Sequence, residues 1–219
     1  MKKTTLLGVM AEPCLLRQKV KCLKPRAGKS AFKKVLFIQT AFAVFLCMYA
    51  NAQQATIKPL KINDRLPDIE ITNILNYNTP TATISSLQRH NKLLLLDFWF
   101  TSCAPCIKQI PKLDSLQQLF KDRLQILMVT FEPDSLVKKF VSKWEQQHDK
   151  TLTIPIATAD TILQQYFNQA SRPNYAWIAA DRVNMGYSSS TFISASIIEQ
   201  VLIKMQLEVQ LRGYLPIGD

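Results

Sequence analysis

LLLLDFWFTSCAPCIKQIPKLDSLQQLF, residues Leu93–Phe120, runs a strand pattern, a cysteine pair and a helix pattern together without a break. Leu93–Phe100 is a continuous apolar run, the pattern of a central strand buried on both faces. From Ala104 to Phe120 the apolar residues Ile107, Ile110, Leu113, Leu116, Leu119 and Phe120 recur at helical spacing. Cys103-Ala104-Pro105-Cys106 therefore falls where strand hands over to helix. Backbone N–H groups at a helix start are unpaired and carry partial positive charge, so they favour a thiolate at Cys103. The thiolate is the species that attacks disulfides. Cys106, one turn further in, suits the resolving role, and Pro105 lacks an N–H where the first turn needs none.

Two other readings of the pair stand beside redox chemistry. A closed zinc site needs about four ligands. After the N-terminal segment the chain offers only these two cysteines, with His90 and His148 at no metal-ligand spacing. A structural bridge across two intervening residues closes a very small loop and removes little entropy from the unfolded chain. Redox use is the stronger reading, with no metal or other cofactor beyond the two sulfurs. Asp97 lies inside the apolar run, six residues before Cys103. A buried carboxylate is costly unless paired or protonated. Asp97 is either an edge-facing, hydrogen-bonded acid or a carboxyl of raised pKa that takes the proton of Cys106; the second is favoured.

Outward from this stretch the elements alternate. Ile69–Ile71 and Thr81–Ile84 flank the turn-forming Asn76–Pro80 and predict a short N-terminal hairpin. Leu124–Phe131 reads as a second buried strand, followed by a helix from Asp134 to about Gln147. Thr153–Ala157 predicts a short extended piece and Thr161–Phe167 a short helix begun by Asp160. Tyr175–Ala180 and Val183–Ser189 read as strands joined tightly at Asp181-Arg182, and a last helix spans about Ser194–Val209. A βαβ unit, an interposed helix and then ββα define an α/β class with a central mixed sheet flanked by helices.

The net charge of +11 is unevenly placed. Residues 1–52 hold ten Lys/Arg and one acidic residue, while residues 53–219 hold 17 basic and 15 acidic ones, a net +2. The basicity thus gives the domain no nucleic-acid partner. Lys33-Lys34, the apolar run Val35–Ala50 and the small residues around Asn51 predict a secretory signal cut after Ala52. An uncleaved membrane anchor is the alternative, and a lipid anchor at Cys47 fits less well behind the bulky Leu46. Cys14, Cys22 and Cys47 all fall within this presequence. The expected division is a presequence, 1–52, and one domain, 53–219, with a core of about 60–209.

The Leu93–Phe120 stretch resembles the active-site region of thioredoxin-like proteins, particularly the exported TlpA/ResA type. The matching points are Asp97-Phe98-Trp99, the Cys-x-Pro-Cys pair and Pro111, which in that family kinks the first helix. Residues 171–189, SRPNYAWIAADRVNMGYSS, resemble the segment in which a cis-proline faces the disulfide; by position that is Pro173. The resemblance covers roughly residues 60–208. It implies a thioredoxin-like fold, an exported enzyme of a bacterial periplasm, and reduction of client disulfides by dithiol–disulfide exchange, fed by a membrane electron donor. Cys103, Cys106, Asp97 and Pro173 would be catalytic, with Trp99, Arg172 and Pro105 in client contact. Trp99 reads equally as a core or pocket wall, and Arg172 as a charge near the thiolate or a solvated loop residue. Oxidase or isomerase action, or a binding module of an envelope complex, are the alternatives. A peroxidase is disfavoured, because Pro-x-x-x-Thr/Ser-x-x-Cys is not found. The sequence departs from the family at Phe100-Thr101-Ser102, where relatives have Ala-x-Trp, at Ala104, where ResA-type relatives often carry Glu, and at Ser171-Arg172, where a small hydroxyl pair is usual.

Overall fold

The structure, a computed structural model, describes residues 57–167 and 172–211, together with a helical stretch at 37–40 and 42. The chain divides into two compact units, Met1–Ala55 and Thr56–Asp219. In the first, the described residues are exposed. The predicted cleavage site, Cys47 and the tail beyond Leu211 lie outside the described residues. Among the described residues no helix is long and apolar enough to cross a membrane.

The second unit is built on a six-stranded sheet in the order β2-β6-β5-β4-β7-β8. Its members are β2 (Ile74–Leu75), β4 (Leu93–Phe98), β5 (Leu124–Val129), β6 (Ile156–Ala157), β7 (Asn174–Ala179) and β8 (Val183–Ser188). β4 runs parallel to β5 and antiparallel to β7, so the sheet is mixed. Every residue of β4 is buried. Alternation sends Leu93 and Leu95 into one core and Leu94, Leu96 and Phe98 into the other. This double burial is why the run is uniformly apolar rather than alternating.

The predicted hairpin is present as β1 (Glu70–Ile71) paired antiparallel with β3 (Ala82–Thr83). Between them Ile74–Leu75 leaves the hairpin to pair with β6 at the edge of the main sheet. Thr83 then caps α1 (Ile84–Leu87), its hydroxyl accepting from the Ser86 N–H at 3.1 Å. The helix expected over Ala104–Phe120 is two helices, α2 (Ala104–Ile107) and α3 (Ile110–Leu119). Pro111 is the cause. It has no N–H for the carbonyl of Ile107, and its ring crowds that carbonyl, so the ladder restarts at Ile110.

α4 (Asp134–His148) lays Val137, Val141 and Trp144 on the first core. α5 (Leu163–Tyr166) is a single turn that contributes Leu163 to the second core. α6 (Ala195–Leu211) closes the first core with Ile198, Leu202 and Met205. The β7–β8 joint is the three-residue turn Ala180–Arg182, in which Asp181 and Arg182 both take positive φ, 58° and 63°. His90 and His148 are exposed, and the His148 ring stacks on Trp144 at 4.2 Å.

Leu95 sits in the middle strand with no exposed surface. Leu95→Ala is therefore expected to cost about 2–5 kcal/mol in urea denaturation, the range for a buried leucine that leaves a cavity. A loss below about 1 kcal/mol would contradict this packing.

Candidate active site

Three chain segments meet where β4 ends. The first is the loop Trp99–Ser102, which leaves β4 and delivers Cys103 as the cap of α2. Trp99 N–H still donates to the Val129 carbonyl at 3.1 Å, so the chain departs from the sheet only after that residue. Cys103 and Cys106 are joined in a disulfide, and the Cys106 N–H points at Cys103 Sγ, 3.3 Å away. Cys103 is 5% exposed and Cys106 1%, so Cys103 is the more open sulfur. Around it Ser102, Ala104 and Pro105 are exposed.

The second segment is Arg172-Pro173, joined by a cis peptide bond. The β4–β7 register pairs Phe98 with Asn174. One residue further on each strand, this sets Pro173 alongside Trp99, at the end of the sheet from which the cysteine loop departs. The third segment follows β5. Glu132 is 9% exposed, and its carboxylate accepts from the Thr101 N–H at 2.6 Å and the Thr101 hydroxyl at 2.9 Å. It thereby ties the loop two residues before Cys103 to the next strand. The residues gave no hint of this clamp, because Thr101 and Glu132 are 31 positions apart.

Asp97 lies beneath. By the alternation along β4 it shares the face of Leu95 and Trp99, whose core includes Cys103 and Cys106. It is fully buried, and neither carboxylate oxygen has a hydrogen-bond partner. It is thus not the edge-facing, hydrogen-bonded acid. Burial pushes its pKa from 3.8 up to about 8, against the opposing pull of the Arg172 charge. Arg172 is half-buried rather than a solvated loop charge. Its guanidinium lies 5.5 Å from the centre of the Phe98 ring and 3.5 Å from Gln164 Oε1. Its charge opposes the upward push of burial on Asp97. Trp99 is 1% exposed with its ring 5.1 Å from Phe140, so it lines the core and offers a client no surface in this state. Tyr175, opposite Asp97 on β7, is a buried polar residue that the sequence pattern had hidden inside an apolar strand.

Two clefts, of about 420 and 270 Å³, both touch Asn91, Met205 and Val209 and reach none of these residues. Among the described residues no group of three or more His, Cys, Asp or Glu could hold a metal ion. The chemistry available at this site is that of a cysteine pair set over a buried acid.

Such a pair, at a strand-to-helix junction of a mixed sheet with a cis-proline at the same sheet end, is set in a thioredoxin-like fold. The redoxin family matches residues 61–183, more than half of the chain, and the chain belongs to that family. It is 33% identical over 90 residues to the thioredoxin-like protein YneN of Bacillus subtilis, covering 41% of this chain and 52% of that one. It is 23% identical over 133 residues to the thiol-disulfide oxidoreductase ResA of Oceanobacillus iheyensis, covering 60% and 67%. The chain thus spans only about half the length of the first relative. The fold is similar to the thioredoxin domain of a thiol-disulfide oxidoreductase from Bacteroides vulgatus. There the TM-score is 0.52 at 16% identity, over 67% of this chain and 99% of that one.

A pH dependence of stability follows from Asp97. The folded chain keeps its proton between about pH 3.8 and 8, where the unfolded chain has lost it. Stability is then full below that window and falls as pH rises through it, by at most about 1.4 kcal/mol per pH unit. Asp97→Asn removes the titrating group at nearly constant volume. In urea denaturation of the oxidised protein the variant should exceed the parent by several kcal/mol at pH 9 and match it within about 1 kcal/mol near pH 4. An equal difference at both pH values would refute the buried, unpaired state of Asp97.

Proposed function

We propose that this chain is an exported thiol–disulfide oxidoreductase that reduces disulfides in client proteins. The observation that carries the reading is the Cys103–Cys106 disulfide at the end of the central strand, on the same core face as a buried acid of raised pKa. In the reduced protein Cys103 is the attacking sulfur. The Cys106 N–H, already 3.3 Å from Cys103 Sγ, would donate to its thiolate and favour it. Attack on a client disulfide forms a Cys103–client bond, breaks the client S–S bond and releases one client thiolate, which takes a proton from water. The Asp97 carboxylate then accepts the proton of Cys106. The resulting thiolate attacks Cys103 Sγ, and the second client sulfur leaves. Two electrons pass from the dithiol to the client, leaving the Cys103–Cys106 disulfide. Pro173, which the strand register sets alongside Trp99, and the exposed Pro105 between the cysteines are read as the client-contacting rim.

Export rests on the sequence: the Lys33-Lys34 pair, the apolar run Val35–Ala50 and the Ala50-Asn51-Ala52 site. A dithiol that works outside the cytoplasm must be re-reduced by an external donor, and the natural class of donor is a membrane-borne thiol system.

Cysteine variants separate the two sulfurs. Cys106→Ser should accumulate a covalent complex with a disulfide-bearing client, visible on non-reducing gels. Cys103→Ser should accumulate none. Both should lose at least about 100-fold of the turnover in an insulin-reduction assay, as expected when a covalent nucleophile or its partner is removed. Unchanged turnover in Cys103→Ser would reject the assignment.

A further inference from the structure

The antiparallel pairing of β4 and β7 sets Tyr175 directly opposite Asp97. Alternation puts both on the face of the first core, where Leu95 and Trp177 are their same-face neighbours along the strands. Cross-strand partners on one face have Cβ atoms about 4.5–5.5 Å apart. Both residues are fully buried, and neither the carboxylate oxygens nor the tyrosine hydroxyl has a hydrogen-bond partner. One side chain brings a donor, and the other, when ionised, only acceptors. Two buried groups of complementary chemistry placed opposite each other can satisfy one another through a small rotation or one shared water. Besides the indole N–H of Trp144 on α4, Trp99 has the other unpartnered donor among the described residues of this core. It sits two residues along the same strand, roughly 6.6 Å away at the Cα, further than the cross-strand partner.

We propose that Tyr175 is a positioning residue for proton transfer at the cysteine pair: its hydroxyl donates, directly or through one water, to the carboxylate of Asp97, and so sets the pH range over which that carboxylate accepts the proton of Cys106. The inference rests on the reading of Asp97 as proton acceptor. The other groups around Asp97 leave this task open. β5 brings Met128 opposite it, α6 lines that core with Ile198 and Leu202, and α4 lines it with Val137, Phe140, Val141 and Trp144, whose indole N–H carries no titrating charge. α2 brings the cysteines themselves, and Arg172 acts by charge. Burial, and then the Asp97 charge, both push the Tyr175 hydroxyl upward, so it remains a protonated donor throughout the working range.

A hydrogen bond to the ionised form lowers an acid's pKa, so losing it must raise the pKa of Asp97. The test uses the full chain and two variants, Tyr175→Phe and Asp97→Asn. One readout is an infrared titration of the protonated carboxyl, its band assigned by its loss in Asp97→Asn. The other is the pH dependence of client-peptide release from the Cys103 mixed disulfide in a single turnover. In Tyr175→Phe the carboxyl should titrate about one pH unit higher than in the parent. Release on the acid side of that titration should slow about tenfold, the rate equivalent of that move. A carboxyl that titrates where the parent's does, even in a less stable variant, overturns the proposal and leaves Tyr175 a packing residue. If instead Asp97→Asn keeps the parent's release profile, the role of Asp97 in the reaction fails. The infrared titration of Tyr175→Phe still decides whether the hydroxyl governs the carboxyl.

Discussion

Burial of one carboxyl on the middle strand is the constraint around which this molecule is arranged. Asp97 sits in β4, which is packed on both faces and paired on both edges, with no hydrogen-bond partner for either oxygen. Leaving a buried polar group unmade costs on the order of 1–3 kcal/mol, and an ionised one more. The fold bears this because β4 also carries five fully buried apolar neighbours in Leu93–Leu96 and Phe98. At roughly 1.5–3 kcal/mol for each fully buried side chain of this type, they outweigh the single acid several-fold. A position that strains the strand and is kept at its centre is where function is to be sought.

The surrounding parts act on that acid or on the loop above it. Arg172 favours its ionised form, and burial favours the neutral one; burial wins, holding the pKa at about 8. The acid is therefore mostly protonated at neutral pH and comes to balance near pH 8, where one group can both take and return a proton. Above it the loop Trp99–Ser102 is not left to local preferences. The Glu132 carboxylate grips Thr101 by its N–H and its hydroxyl, so Cys103 is held from β5 as well as from its own strand.

Much of this was legible in the residues. The unbroken apolar run marked β4, the strand-to-helix position of the cysteines marked their chemistry, and Asp97 stood out as the one acid within the run. What escaped the reading is long-range. Glu132 and Thr101 meet only because β4 and β5 lie side by side, and Tyr175 faces Asp97 only through a strand register. In sequence Tyr175 looks like one more aromatic in YAWIAA. Arg172 could be read as a loop charge because nothing local places it against Phe98. Two-residue strands such as β2 carry too little periodicity to announce their partner, so the departure of Ile74–Leu75 into the main sheet was invisible. The break before Pro111 was visible in the proline itself and in the resemblance, although periodicity alone ran through it.

The most direct test of the central claim is the reduction potential of the Cys103/Cys106 pair, by equilibration against glutathione or dithiothreitol. A client reductase should lie near or below about −270 mV, the value of thioredoxin, and cycle reversibly. A value toward about −120 mV would make the pair an oxidant and reverse the proposed direction of electron flow. A pair that does not cycle would contradict the enzyme altogether and leave a binding module in its place.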